Sequence, residues 1–331
     1  MSRISYFLSI ATLSLLVACQ SSPKENSADA SGSKALRIAI IPKGSTHMHW
    51  RSVHAGANKA ASELGVEVLW QSSQKEDDRQ QQIQLVQNAI SQQVDAILLA
   101  PLDDQALVAP VKTAVNRGIP VLIFDSNLKS DVYSSYIATD NYMGGKLCGK
   151  RLAEVMGEKG KVLVLRYEEG SASTAEREKG FLDAIKEYPG MEIISENQYA
   201  GATLEKALKA SQNLLNRFPE TEGIFCPDES STHGMLRALQ IAGKAGKVHF
   251  VGFDSSEPLL EAVRKGELDG VAVQAAFKMG YLGLKTAVAV LRKESYERTV
   301  DTGVTMVTRE NVDSPDLKEV LYPDLATWLK E

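Results

Sequence analysis

An excess of positive charge is what this 331-residue chain lacks: 37 Lys and Arg stand against 42 Asp and Glu, a formal net charge of −5. A nucleic-acid-binding domain carries a basic footprint, so DNA and RNA are excluded as partners on charge balance. Cysteine is scarce as well. Of the three, Cys148 and Cys226 fall in separate halves of the chain without metal-ligand spacing. A disulfide between them stays open on sequence grounds, and two small buried thiols are the simpler reading. Catalytic signatures are missing too. The first strand is not followed by G-x-G-x-x-G, and there is no Walker loop, no G-x-S-x-G elbow and no H-E-x-x-H. Dinucleotide, nucleoside triphosphate, serine hydrolase and zincin chemistry therefore have nothing specific to stand on. His47, His49 and His54 invite a metal reading. No Cys lies near them, and imidazoles in a loop can face a ligand without a metal, so neither metal nor cofactor is expected.

Only one apolar stretch could direct the chain to a membrane. It runs from Ile4 to Val17 behind Arg3 and ends in Leu16-Val17-Ala18-Cys19. It is short for a span but the length of a signal-peptide core, so residues 1–18 are expected to be a cleaved leader. Small residues ahead of a Cys look like a lipobox, which makes Cys19 the expected lipid anchor. Residues 19–35 are rich in Ser, Asn, Asp and Gly and read as a flexible tether. The expected location is therefore outside the cytoplasmic membrane, in the periplasm or on the cell surface.

Beyond that linker about 296 residues remain, too many for one ordinary core. Apolar, β-branched runs begin at Arg37, Val66, Val94 and Val121, separated by 29, 28 and 27 residues. Helical periodicity fills the gaps, as in Val53, Ala57, Ala60 and Leu64, with Gly65 placed to end the helix. A second series runs through Lys161–Leu165, Glu192–Ser195, Gly223–Cys226, Val248–Gly252 and Gly270–Gln274. This βαβ rhythm, written twice, predicts two three-layer α/β/α lobes built on parallel sheets, with the break near Thr139 and Asp140.

Ligands of such sheets sit beyond the carboxyl ends of the strands, so the loops that follow them matter most. Those loops carry His47, His49, Trp50, Asp125, Ser126, Asp228, Asp254 and, at the end of the last strand, Gln274. Vicinal hydroxyls call for carboxylates and amides, and the apolar face of a sugar ring calls for an aromatic. Asp125, Asp228, Asp254 and Gln274 supply the first kind and Trp50 the second. Each aspartate equally fits a helix N-cap at a βα junction; their recurrence in both halves tips the reading toward a ligand. Ser171 or Ser173 with His233 could be drawn as a catalytic dyad, but serine-rich loops ahead of helices serve as caps.

With these residues in view the chain resembles the periplasmic sugar-binding proteins of the ribose-binding type, the binding components of ABC importers. The landmarks are Trp50 with Gly56-Ala57, Ile119-Pro120-Val121 leading to Asp125, Thr139-Asp140-Asn141 with Gly144-Gly145, and Arg177-Glu178-Lys179-Gly180-Phe181. Asp228-Glu229 ahead of Gly234-Met235-Leu236-Arg237-Ala238-Leu239 and Val251-Gly252-Phe253-Asp254 complete them. The resemblance implies a type I periplasmic binding protein whose lobes are joined by a three-segment hinge. One lobe comprises 36–139 and 275–303, the other 140–274 and 304–331, with Thr139 and Asp140 at a crossing. It also implies that Asp125, Asp254 and Gln274 bind hydroxyls and that Trp50 packs on the ring. Departures from the family pattern are Asp228 in place of an Asn, His47 and His49 in place of an Asn and a Phe, and Ser126 and Ala175 in place of two arginines. Arg177 is read as a helix residue bracing its lobe. The implied function is capture of a monosaccharide or polyol by a monomer and its delivery to a membrane permease, with no chemistry done. A sensor presenting the same closed form to a receptor or histidine kinase, and a sugar-modifying enzyme with paired carboxylates, are the alternatives.

Overall fold

The computed structural model describes Met1, residues 35–73 and residues 75–330. The expected leader beyond Met1, the anchor Cys19 and the tether up to Lys34 lie outside the described residues. From β1 (Arg37–Ile41) the chain passes through α1 (Met48–Leu64), β2 (Glu67–Trp70), α2 (Arg79–Ser91), β3 (Ala96–Leu99), α3 (Val108–Asn116), β4 (Val121–Phe124) and β5 (Tyr136–Ala138). It crosses into α4 (Asn141–Met156), β6 (Lys159–Arg166), α5 (Ala172–Ile185), β7 (Gly190–Tyr199), α6 (Leu204–Arg217), β8 (Gly223–Phe225), α7 (Glu229–Ile241), β9 (His249–Phe253), α8 (Glu257–Lys265) and β10 (Gly270–Gln274). A second crossing leads to α9 (Ala276–Arg292) and β11 (Thr299–Asp301), and a third to β12 (Val304–Val307), α10 (Lys318–Leu321) and α11 (Leu325–Leu329).

Two six-stranded sheets result, in the orders β11-β5-β4-β3-β1-β2 and β12-β10-β9-β8-β6-β7. All neighbours are parallel except β12, which runs antiparallel to β10 with Val271 opposite Val307. That edge strand is entered directly from the third crossing, so it arrives from the opposite end of the sheet.

Period-two alternation explains how a continuous apolar strand serves two cores. Ile38 and Ile40 of β1 pack with Val53 and Ala57 of α1 and Met279 and Leu284 of α9. Ala39 and Ile41 face the other way, onto Val86 and Ile90 of α2 and Val111 of α3. The second sheet repeats this: Leu163 and Phe250 face α6, α7 and α8, while Val162 and Val251 face α4 and α5. Each Ile, Leu, Val or Phe buried this way contributes about 1.5–3 kcal/mol. Cys148 and Cys226 belong to these cores as unpaired, buried thiols, and burial holds both well above the usual thiol range.

Glycine sets the helix spacing in each lobe. A Cβ on Gly56 would run into the Phe277 carbonyl, and one on Gly145 into the Arg177 carbonyl, so α1 meets α9 and α4 meets α5 backbone to backbone. The second of these crossings fixes the height of Arg177. Only the end of the tail departs from its expected assignment: β12 and α10 pack on the second sheet, whereas α11 lies against α1 of the first lobe, where the Asn58 amide donates to the Trp328 carbonyl at 2.9 Å. Among the described residues no helix is long and apolar enough to cross a membrane.

Candidate functional site

The same local device appears once in each sheet. Asp125 directly follows β4 and Asp254 directly follows β9, and both adopt left-handed backbone, at φ 61° and 66°. That conformation costs a residue with a Cβ about 1 kcal/mol, and Asp tolerates it better than most. The neighbouring strands hold it in place: Asp125 N–H donates to the Ile137 carbonyl at 3.0 Å and Asp254 N–H to Ala272 at 2.8 Å. Each carboxylate is thereby turned outward past the end of its sheet, toward the other lobe.

On the first-lobe side the charges are paired. Lys43, two residues beyond β1, puts its Nζ 3.3 Å from Asp125 Oδ2, and His49 Nε2 lies 3.0 Å from Oδ1, off hydrogen-bond alignment. Burial opposes ionisation of Asp125, but Lys43 and then His49 outweigh it and hold the carboxyl below the usual range. The other centre is Glu76, which takes His47 Nδ1 at 2.7 Å and the Trp50 indole N–H at 2.5 Å on Oε1, and the Tyr167 hydroxyl at 3.0 Å on Oε2. Burial would lower the His47 pKa, yet the adjacent Glu76 carboxylate lifts it to about 10.

The second-lobe side is richer in acceptors. Gln274 Nε2 donates to Asp254 Oδ1 at 2.6 Å, leaving Gln274 Oε1 buried without a partner. Arg177 lies 3.8 Å from Asp254 Oδ2, donates to Asn141 Oδ1 and to the Pro227 carbonyl, and stacks over Phe253. Asp228 caps α7, accepting from the N–H groups of Ser230 and Ser231 and from both serine hydroxyls. Burial pushes its carboxyl upward.

The halves touch across the cleft. Lys43 Nζ reaches Ser173 Oγ at 3.0 Å and Ser171 Oγ at 3.3 Å, and Ser126 Oγ accepts from Ser173 N–H at 3.2 Å. Around Asp125, Asp254, Arg177 and Gln274 about 30 Å³ remains, roughly one water's share. The three crossings run side by side: Thr139 and Thr302 hydroxyls are 3.5 Å apart, and Asp140 N–H donates to Asp301 at 3.2 Å.

A periplasmic binding protein domain model matches residues 38–295. The chain belongs to the periplasmic binding protein family. Among curated relatives it is similar to the ribose import binding protein of Escherichia coli K12, with 30% identity over 82% of this chain and 90% of that protein. Among solved structures it is similar to an ABC transporter solute-binding protein from Agrobacterium vitis with bound D-fucose, at 38% identity and a TM-score of 0.83, covering 86% of this chain and all of that one. A carbohydrate transporter solute-binding protein from Agrobacterium radiobacter in complex with D-arabinose gives 32% identity and a TM-score of 0.84, covering 87% and 99%.

Within this periplasmic binding protein, His47, His49, Trp50, Asp125, Asp228, Asp254 and Gln274 all border one cavity, and Ser126 lies behind Ser173. Trp50 differs from expectation. It is 3% exposed and packs edge-on against Phe124 in the first-lobe core, with its N–H end held at the cleft by Glu76. Arg177 also differs: its guanidinium forms part of the cavity wall besides bracing the lobe. The sequence reading gives no binding role to Lys43, Glu76, Tyr167 and Thr174, and treats Ser173 as part of a capping loop, yet all five line the cavity. Lys43 belonged to a loop already singled out; Glu76 lay hidden in a charged run. Among the described residues no cluster of three or more His, Cys, Asp or Glu is arranged to hold a metal.

Proposed function

We propose that this protein captures a monosaccharide or similar polyol between its lobes and delivers it, unaltered, to an ABC importer. The observation that carries the reading is the pairing of Asp125 and Asp254, one from each sheet, turned by the same strained residue geometry onto one cavity. Arg177, Lys43 and Gln274 surround them with the donors and acceptors that vicinal hydroxyls need. Hydrogen bonds to charged groups contribute about 1.5–3 kcal/mol each, and micromolar affinity requires about 8 kcal/mol, so about four suffice. Because the groups come from both lobes, the ligand binds the closed form better and shifts the equilibrium toward it.

In the same proposal Thr139 and Asp140 lie at the first of three hinge crossings, with 36–139 plus 275–303 moving against 140–274 plus the strand that follows. Cys19 carries the lipid that keeps the monomer on the outer side of the cytoplasmic membrane, within reach of the permease. The test is a thermal-shift screen with D-ribose, D-fucose, D-arabinose, D-allose and myo-inositol. At a hundredfold excess over Kd, a ligand adds about 2.7 kcal/mol to stability, so at least one should raise the melting temperature and be recovered chemically unchanged. A screen in which no sugar or polyol raises it contradicts the reading.

A further inference from the structure

Along one rim of the cleft the lobes are also joined by residues that lie outside the cavity lining. The first-lobe side is the run Asp77-Asp78-Arg79 between β2 and α2, with Asp103 and Asp104 beside it. Asp77 Oδ2 accepts from Lys206 Nζ of α6 at 2.6 Å. Arg79 is steadied within its own lobe by Asp103, with Nε 3.1 Å from Oδ2, and donates through its guanidinium to the Glu169 carbonyl at 2.6 Å. One residue on, the Gly170 carbonyl accepts from Asp104 N–H at 3.0 Å.

The loop between β6 and α5 fits closely against this rim. Gly170 has φ 90°, and a Cβ there would run into the Asp103 carboxylate, so the tip approaches the first lobe as only glycine allows. Lys206, Asp77 and Arg79 are all part-exposed, and an exposed ion pair contributes little by itself. These three contacts act on one equilibrium, however, because parting of the lobes breaks them all. Every atom involved belongs to the protein, so their contribution favours the closed form with or without a sugar.

We infer that this rim is a latch: it raises the closed population of the protein itself and slows its reopening, so that the rim sets affinity and residence time while the cavity sets which ligand is chosen. The inference rests on the sugar-capture reading and extends its open–closed equilibrium. An apparent Kd is the intrinsic Kd divided by the competent fraction, so a larger closed fraction tightens every ligand by the same factor.

Hydrogen exchange of the folded, sugar-free protein tests the latch, because the Asp104 and Ser173 amides both donate across the cleft and exchange only as it opens. Lys206→Glu and Asp77→Lys should each speed exchange at both amides about two- to tenfold. The double variant, Asp77→Lys with Lys206→Glu, re-forms the pair with its charges exchanged and should return both amides to near the wild-type rate. Lys206 stands three residues after the cap Thr203, whose side chain accepts from its N–H; glutamate suits that position, so α6 keeps its start in the variant. With a sugar that raises the melting temperature, the single variants should bind about two- to tenfold weaker, through faster release in stopped-flow, and the double variant should recover. Single variants with wild-type exchange, or with wild-type affinity for a sugar the protein binds, would overturn the latch and leave sugar capture intact, as would a double variant no better than the singles. A wild type that binds no sugar would overturn capture, and amide exchange would still decide whether the rim holds the lobes together.

Discussion

The two walls of the cleft are built on opposite electrostatic plans. In the first lobe every site carboxylate is matched: Asp125 with Lys43 and His49, Glu76 with His47 and Trp50 and, across the cleft, with Tyr167 of the second lobe. What is left buried and unpaired differs in kind: a ring nitrogen, His49 Nε2, in the first lobe, and acceptor oxygens, Gln274 Oε1 and Glu229 Oε2, in the second. The difference separates two tasks. A wall of matched charges is preorganised and contributes to the stability of the unliganded protein, whereas open acceptors gain partners only when a hydroxyl arrives. Discrimination among ligands is therefore expected to reside in the second lobe and rigidity in the first.

The largest expected effect breaks the matched wall. Asp125→Asn leaves Lys43 and His49 buried without their counter-charge, and removal of one member of a buried pair costs about 3–5 kcal/mol. Urea unfolding of the unliganded protein should show that loss; an unchanged midpoint would erase the distinction between the walls. Next comes Gly145→Ala, where the added methyl meets the Arg177 carbonyl and pushes α5 away. Overpacking of this kind costs about 1–3 kcal/mol. Because Arg177 rides on that helix, sugar affinity should fall together with stability, and a loss of stability with unaltered affinity would remove Arg177 from the binding wall.

A third comparison is the pH dependence. The His47 pKa is raised to about 10 by Glu76 against its burial, while an unfolded histidine titrates near pH 6.5. Its contribution is thus complete below about pH 6.5 and is lost as pH climbs toward 10. Glu229 is raised to about 7 by burial, with His47 opposing, against about 4.3 unfolded. The folded protein holds that proton more tightly, so stability declines between about pH 4.3 and 7. Both slopes have one sign: melting temperatures should fall steadily from about pH 5 to about pH 9. His47→Gln should flatten the alkaline part of the curve. A wild-type melt that rises over that range contradicts the assigned pairing.

The doubly repeated βαβ pattern was legible because parallel strands buried on both faces are written as unbroken apolar runs, as in Arg37–Ile41 and Val121–Phe124. The shortest strands were not. Thr299–Asp301 is only three residues long with two of them exposed, and Tyr136–Ala138 is as short, so neither shows a period. The post-strand aspartates could be found because position relative to a strand is a one-dimensional property. Glu76 could not, since it stands in Lys75-Glu76-Asp77-Asp78-Arg79, which reads as a solvated run. Only the fold buries Glu76 while its neighbour Asp77 pairs with Lys206 near the surface. Trp50 borders the cavity, but sequence position alone does not tell which part of the indole it presents. Its position on α1 gives its ring to the core and only its N–H end to the cleft.

The most direct test is calorimetric titration of Asp254→Asn beside the wild type, using whichever sugar raises the melting temperature most. Losing the charge on the second-lobe acceptor should weaken binding by about 1.5–3 kcal/mol, roughly ten- to a hundredfold, while the unliganded protein loses less stability than Asp125→Asn does, because Arg177 keeps Asn141 and the Pro227 carbonyl as partners. Undiminished affinity in that variant would show that the carboxylate does not contact the ligand, and the account of a sugar held between two turned-out aspartates would fail.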